Sequence, residues 1–248
     1  MTDIILFDFD EIAKVSDDDI IIEMTKTLIM LKNLGFTLGL IGENICKFRT
    51  ILSQFTYIFS EAGSVIYKFD DVTNSFYKFW KHNIVNYLGS HLLKKLGENF
   101  LYGIKNDNFI YTLNKNQYYD VTPLYIEILN GSVYFYPIGK TPYDYQQQIF
   151  LQYDESTHWT QYMCDTLSIL DNRLVFKSEL DGTIKCCPRE WNSSQIVPQL
   201  KVEGYTKIYY FGKKTDIYKS PHVIGFVVKD YKDIITNIDF LLPAMLNK

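Results

Sequence analysis

The sequence IILFDFD, residues 4–10, begins with four apolar residues and ends with an aspartate on either side of Phe9. A short apolar run of this kind is typical of a buried strand in a parallel sheet, whose two faces are covered by helices. Parallel sheets bind their ligands at the carboxyl ends of the strands. Asp8 and Asp10 are therefore predicted at a ligand-binding edge.

The next segments predict a helix and a second strand. Apolar residues recur at helical spacing from about Asp17 to Asn33, and acidic residues crowd the first turn, where the helix dipole favours negative charge. Thr37 to Ile41 is typical of another buried strand, and it ends in Gly42-Glu43-Asn44. This strand-helix-strand order predicts a parallel α/β core.

The middle of the chain follows a different pattern, starting at about His82. Asn130-Gly131 and Asp181-Gly182 each stand between two β-rich runs, which is typical of tight hairpin turns. The segment between them, Tyr143 to Leu170, has mainly helical spacing. An antiparallel sheet with helices is therefore predicted here.

The alternating pattern of the opening segment returns near Trp191. Strands are predicted over Lys207 to Phe211 and Val223 to Val228, followed by a closing amphipathic helix over Tyr231 to Leu242. The sequence therefore predicts one core domain that is interrupted by an inserted cap. Residues 1–81 and 189–248 form its parallel-sheet core, and residues 82–188 form an inserted α+β cap.

Composition excludes several classes of protein. The chain has 248 residues, 47% of them hydrophobic, and a net charge of -4. Because basic residues are scattered among acidic ones, we expect neither a nucleic-acid groove nor a membrane surface as a partner. The start of the chain lacks a leader pattern, and no apolar run is long enough to cross a membrane. A cytoplasmic location is predicted.

Aromatic and thiol side chains are predicted to be structural. Alternation along strands favours core packing for the aromatic stretches Phe76 to Trp80 and Tyr205 to Phe211 over a role as stacking platforms. The histidines are widely separated and form no metal-ligand pattern. The cysteines, which are Cys46, Cys164, Cys186 and Cys187, are predicted to be reduced and mostly packed as small apolar residues.

An Asp-x-Asp segment after a strand permits two interpretations. It is either a solvated loop or a pair in which Asp8 attacks a phosphoryl group while Asp10 transfers a proton to or from a hydroxyl. The motif alone does not decide between them.

Four segments of the chain resemble the eukaryotic-type phosphomannomutases of the haloacid dehalogenase superfamily, and the resemblance covers essentially the full length. They are LFDFD near the start, FSEAGSVIY (59–67), YIEILNGSVYFYPIGK (125–140) and GYTKIYYFGKKT (204–215). The resemblance implies a haloacid dehalogenase-like Rossmannoid parallel-sheet core with an inserted antiparallel-sheet cap. In that family mannose 6-phosphate is converted to mannose 1-phosphate through an aspartyl-phosphate, with magnesium required.

The resemblance also assigns roles to individual residues. Asp8 would be the nucleophile and Asp10 the acid/base. The phosphate or substrate contacts that it implies are Asn44, Asn130, Lys140, Lys213 and Lys214. The metal ligands would be Asp8, Asp10 and Asp216. Two copies would pair through their caps, because family members do so.

The nucleophile's support departs from the family's pattern. After the second aspartate the family has glycine and threonine, where Glu11 and Ile12 stand here. The family's second strand ends in Gly-Gly-Ser, and here Glu43 adds a carboxylate where a phosphoryl group should bind. The family's lysine after Gly-Trp aligns near Ser193, so a positive charge that balances the phosphate is missing.

The metal and substrate motifs depart as well. The family's Phe-Gly-Asp-Lys-Thr is Phe-Gly-Lys-Lys-Thr here, so Lys213 replaces a carboxylate, and lysine does not bind magnesium. An arginine that clamps the substrate phosphate is replaced by Leu129, while Lys140 keeps only the charge of a second one. Sites that lose parts acting as a unit keep little of their rate.

Two functions follow from these patterns. The first is a catalytically impaired relative, without a cofactor, that binds a partner protein, a second copy or a phosphorylated sugar. The alternative is an active magnesium-dependent phosphomannomutase or phosphatase whose site is rebuilt with Asn44, Lys213 and Lys214.

Overall fold

The computed structural model describes residues 2–8, 18–42, 51–115, 125–213, 217 and 219–246. The chain divides into two compact units, called the core unit and the cap unit below. The core unit is Met1–Lys81 with Trp191–Lys248, and the cap unit is His82–Glu190. The return to the core unit falls after Glu190, whereas the sequence pattern placed it after Pro188.

The strands along the described chain are β1 (Thr2–Asp8), β2 (Thr37–Ile41), β3 (Tyr57–Ser60), β4 (Val65–Asp70), β5 (Ser75–Lys81), β6 (Tyr125–Ile128), β7 (Val133–Tyr136), β8 (Leu174–Ser178), β9 (Ile184–Pro188), β10 (Tyr205–Gly212) and β11 (Val223–Val227). The α-helices are α1 (Asp18–Asn33), α2 (Ile84–Asn106), α3 (Asn108–Lys115), α4 (Asp144–Thr157), α5 (Trp159–Ser168), α6 (Ile196–Val202) and α7 (Tyr231–Leu246).

The core unit is built on one sheet with the strand order β11-β10-β1-β2-β3-β4-β5. The pairs from β11 to β3 are parallel, as the alternating sequence pattern predicted. The pairs β3–β4 and β4–β5 are antiparallel, so the sheet is mixed. The sequence analysis made no prediction of these antiparallel pairings.

Side-chain alternation along β1 supplies the apolar core on both faces of this sheet. Ile5 and Phe7 pack with residues of α1 and α7 on one face. Ile4 and Leu6 pack with residues of α6 on the other. Because successive strand residues point to opposite faces, Asp8 belongs to the face of Ile4 and Leu6.

The edge strand β5 corrects one prediction from the sequence. Phe76 to Trp80 was predicted as core; Phe76 and Trp80 do pack against the two core clusters, but Tyr77 is 46% and Phe79 is 38% exposed. The reason is the strand's position, because β5 is the last strand of the sheet order and pairs with β4 on one side. By contrast, β10 is buried from Ile208 onward, as predicted.

The cap unit contains an antiparallel sheet with the order β6-β7-β9-β8. Asn130-Gly131 joins β6 to β7 and Asp181-Gly182 joins β8 to β9, so both predicted hairpins are confirmed. The predicted helical segment between the hairpins is confirmed as α4 and α5. Phe100 of α2 contacts Phe135 of β7, with ring centroids 5.0 Å apart, which ties a helix to the sheet.

None of the helices in the described ranges combines the length and the apolar character that crossing a membrane requires.

Candidate functional site

Asp8 lies at the carboxyl end of β1, at the centre of the core sheet. Its backbone is in register with Ile41, the last residue of β2. On the other side, Phe7 pairs with Phe211, so β10 ends in Gly212 beside Asp8. The Asp8 side chain is only 1% exposed. The backbone of the predicted nucleophile thus lies at the carboxyl end of a parallel strand, and its side chain is buried.

A tyrosine that the sequence reasoning did not single out contacts this carboxylate. The hydroxyl of Tyr210 donates a hydrogen bond to Oδ2 of Asp8 at 3.0 Å. Tyr210 is fully buried, on the face of β10 that packs with Leu6. The sequence showed the alternation along β10, but the pairing of β10 with β1, which puts Tyr210 and Asp8 on one face, came from the structure.

Gly212 permits this close arrangement. A Cβ atom built on Gly212 would lie 2.6 Å from Cβ of Asp8 and would also clash with the Tyr210 hydroxyl. Contacts below about 3 Å are far inside van der Waals distance, so any side chain here would displace one of the pair. Asp8, Tyr210 and Gly212 form a closely packed group, which we call the Asp8 cluster.

Several predicted site residues lie outside the described residues. They are Asp10, Asn44, Lys214 and Asp216, together with Glu11, Ile12 and Glu43 among the departures. Lys213 is described; it directly follows Gly212 and is exposed. Within the described ranges, no three His, Cys, Asp or Glu side chains come together as a metal site would require.

The core unit has a second unusual feature at the end of β3. Glu61 and Ala62 adopt positive φ angles of 51° and 55°, and Gly63 follows with 88°. Such backbone conformations are costly for residues with a Cβ atom and are concentrated at functional sites. Because β3 runs parallel to β2, this turn lies at the same edge of the sheet as Asp8.

Ser193, near which the resemblance puts the family's lysine, is a buried, uncharged residue. Ser193 is 5% exposed and begins a short 3-10 turn, Ser193–Gln195. The side chain of Asn192 caps this turn by accepting from the backbone N–H of Ser194 at 2.9 Å. The described structure thus places a buried hydroxyl where the alignment placed the missing lysine.

In the cap unit, Lys140 is half-exposed and bonded to a carboxylate. Its Nζ lies 2.5 Å from Oε1 of Glu127, and the Tyr136 hydroxyl donates to Oε2 of Glu127 at 2.9 Å. Burial raises the pKa of Glu127, but the hydrogen bonds from Lys140 and Tyr136 outweigh it and hold that pKa below its usual range. The hydrogen bond to Glu127 raises the pKa of Lys140.

A cavity of about 320 Å³ opens beside Lys140. Tyr136, Gly139 and Asp181 also line it, so its lining includes one basic and one acidic residue. Asn130, the other predicted cap contact, is not among its lining residues and lies in the β6–β7 turn. Its backbone oxygen accepts from the N–H of Ile84 at 2.8 Å.

Two of the described cysteines are buried. Cys164 and Cys186 are buried in the cap unit and are not in disulfides. Burial raises the pKa of the Cys164 thiol to about 12, so it stays protonated at neutral pH. A protonated, buried thiol is a poor nucleophile.

Comparison with known proteins gives one consistent result. Residues 21–243 match the sequence model of the family described as eukaryotic phosphomannomutase. A phosphomannomutase of Encephalitozoon cuniculi is 25% identical over 214 residues, which cover 83% of this chain and 75% of that protein. The phosphomannomutase of Schizosaccharomyces pombe is 22% identical, covering 95% of this chain and 92% of that protein.

Solved structures show the same fold at lower identity. A haloacid dehalogenase-like hydrolase from Bacteroides thetaiotaomicron superposes with a TM-score of 0.53 at 13% identity. The match covers 91% of this chain and 94% of that chain. A parallel-sheet core with a separate antiparallel-sheet cap is therefore a haloacid dehalogenase-like α/β fold.

Proposed function

The chain belongs to the eukaryotic phosphomannomutase family, and from this membership we propose that it binds a phosphorylated sugar while phosphoryl transfer is largely lost. The observation that carries the proposal is at the end of β10. Lys213 follows Gly212 beside the Asp8 strand end, where the resembled motif has a carboxylate.

Charge explains why this replacement matters. Phosphoryl transfer to a carboxylate brings several negative charges together, and metal ions and cationic side chains normally stabilise that transition state. A lysine supplies a positive charge but no oxygen ligand, so it can attract a phosphate without holding a metal. Ser193 likewise leaves the second cationic position without charge. This arrangement can therefore still bind an anion, although it lacks groups that phosphoryl transfer requires.

Lys140 is the proposed phosphate contact in the cap unit. Its side chain is 48% exposed, and the residue lines a cavity of about 320 Å³. Glu127 neutralises part of its charge, so binding should be weaker than at a bidentate arginine.

The test separates binding from catalysis. Calorimetry should detect mannose 1-phosphate binding to the purified protein, with mannose as the control that lacks the phosphate. A coupled mutase assay with magnesium and glucose 1,6-bisphosphate should give a turnover below about 0.01 s⁻¹, against about 1–10³ s⁻¹ for typical enzymes. Turnover in the ordinary range would refute the loss of catalysis, and equal affinity for mannose would refute phosphate recognition.

A second candidate function is an active phosphomannomutase, or a phosphatase. The observation that favours it is the retained Asp8 at the end of β1, together with relatives that carry the name phosphomannomutase. Here Asn44, Lys213 and Lys214 would support the phosphoryl group, and magnesium would supply the positive charge when bound. Loss of turnover in Asp8→Asn would be required.

Association with another protein is a separate prediction. Two copies pairing through their caps, or a different protein partner, would both fit a non-catalytic role. Light scattering on the purified protein distinguishes a dimer from a monomer.

A further inference from the structure

Tyr210 has the contacts of a residue that acts on Asp8 and not only on the core. Its backbone pairs with Leu6, two residues before Asp8, on the parallel strand next to it. Its ring is fully buried, and its hydroxyl reaches the carboxylate at 3.0 Å. Most buried tyrosine hydroxyls have a hydrogen-bond partner, and here the partner is the predicted nucleophile.

The surrounding residues keep this hydrogen bond in place. Asp8 is 1% exposed, so water does not compete freely for its Oδ2. Gly212 provides the space that both groups occupy, since a Cβ atom there would overlap Asp8 and the Tyr210 hydroxyl. A hydrogen bond to a carboxylate in such a site is stronger than one between neutral groups.

We propose that Tyr210 is a positioning residue that holds the Asp8 carboxylate through Oδ2 and thereby competes with a phosphoryl group for that oxygen. This inference rests on the proposed function, because it supplies one cause of the lost phosphoryl transfer. A phosphoryl group that approaches Oδ2 must first displace the tyrosine hydroxyl from a buried acceptor. The same hydrogen bond stabilises the fold, so core stability and nucleophile access oppose each other at this residue.

The direct test is Tyr210→Phe, which removes one oxygen and keeps the ring. The probe is beryllofluoride, a mimic of the phosphoryl group on aspartate, added with and without magnesium and followed by ¹⁹F NMR. We expect about tenfold tighter binding than in the unaltered protein, equivalent to about 1.4 kcal/mol. A purely structural role for the hydroxyl would leave this affinity unchanged or lower it.

Tyr209→Phe is the matched control. Tyr209 is the preceding residue of β10 and packs on the opposite face of the sheet, with Phe7 and α1. It loses the same atom without touching Asp8, so its beryllofluoride affinity should equal that of the unaltered protein. Asp8→Asn should abolish the bound signal in every background.

A second measurement does not depend on folding of the phenylalanine variant. Protein with 3-fluorotyrosine at residue 210 alone keeps the hydroxyl, and its ¹⁹F resonance should shift when beryllofluoride binds. Three outcomes would each overturn the inference. The first is a fluorotyrosine resonance that does not move at saturating beryllofluoride, and the second is no beryllofluoride binding to any of these proteins at about tens of millimolar. The third is equal beryllofluoride affinity of Tyr210→Phe and Tyr209→Phe. The mutase assay on the unaltered protein decides the proposed function separately, because its result does not depend on Tyr210→Phe.

Discussion

A tyrosine hydroxyl donates a hydrogen bond to the predicted nucleophile in the core unit, and another tyrosine hydroxyl donates to the carboxylate beside Lys140 in the cap unit. In the core unit Tyr210 donates to Asp8 at 3.0 Å, and in the cap unit Tyr136 donates to Glu127 at 2.9 Å. The first pair is almost fully buried, whereas Glu127 is 21% exposed and also bonded to the half-exposed Lys140.

The difference in burial determines how much each hydrogen bond contributes to stability, because Asp8 is shielded from water and Glu127 is partly exposed. A buried carboxylate that loses its donor costs about 1–3 kcal/mol or more, because water cannot replace the bond. A half-exposed ion pair is screened by solvent, and it contributes about 0.2–1 kcal/mol. Changes in the Asp8 cluster should therefore act mainly on stability, and changes around Lys140 should act mainly on ligand affinity.

The largest effect is expected from Gly212→Ala. The added methyl group would overlap Cβ of Asp8 and the Tyr210 hydroxyl, so we expect a loss of about 3 kcal/mol in the free energy of unfolding, measured with urea. Gly97→Ala is the control in the cap unit, because its Cβ would meet Ile126 at an ordinary 3.6 Å within α2. It should be neutral or stabilising, since alanine favours helix. Equal losses in both variants would contradict the comparison.

Next in size is the effect of charge around Lys140 on ligand binding. Glu127→Gln keeps the shape of the side chain but removes the charge that offsets Lys140, so mannose 1-phosphate should bind several-fold tighter. Lys140→Met should weaken binding about tenfold. Calorimetry measures both, with Lys177→Met as the control because Lys177 is exposed and does not line the cavity. Tighter binding of mannose 1-phosphate to Lys140→Met would show that Lys140 is not a phosphate contact.

A smaller effect tests the strained turn at the edge of the core sheet. Ala62 has a φ of 55°, which glycine adopts without the Cβ penalty, so Ala62→Gly should raise the free energy of unfolding by about 0.5–1 kcal/mol. Asn74→Gly is the control at φ 50°, because asparagine tolerates this conformation better than alanine. A stabilisation of Asn74→Gly as large as that of Ala62→Gly would argue against strain at Ala62.

The smallest effect concerns pH. Hydrogen bonds from Lys140 and Tyr136 hold the pKa of Glu127 below its ordinary value of 4.5 in the folded protein, although burial opposes them. A depressed folded pKa contributes stability that is complete above 4.5 and is lost as pH falls through the lower folded value. The stability difference between the unaltered protein and Glu127→Gln, about 0.2–1 kcal/mol at pH 7, should therefore shrink below pH 4.5. Urea midpoints at pH 7 and at pH 3.5 measure it, and a difference that grows in acid would contradict the assignment.

Local patterns predicted the parts of the fold that depend on local physics. The apolar run before Asp8, the helix α1 and the Asn130-Gly131 hairpin all follow from spacing, capping and turn chemistry. The antiparallel extension β3–β5 was not predicted, and neither was the exposure of Phe79. Whether a strand is central or at an edge depends on which strands become its neighbours, and the sequence period does not carry that information.

The candidate site divides in the same way. The sequence was sufficient to predict Asp8 at a strand end and to show that Lys213 and Ser193 stand where the family's motifs have other residues. Three-dimensional structure was needed to show that the Tyr210 hydroxyl contacts Asp8 and that Glu127 is bonded to Lys140. Residue type and order are local properties, whereas a contact across 202 residues arises only when strand pairing brings β10 beside β1. Burial then decides how strongly that contact acts, because it sets how much water can compete.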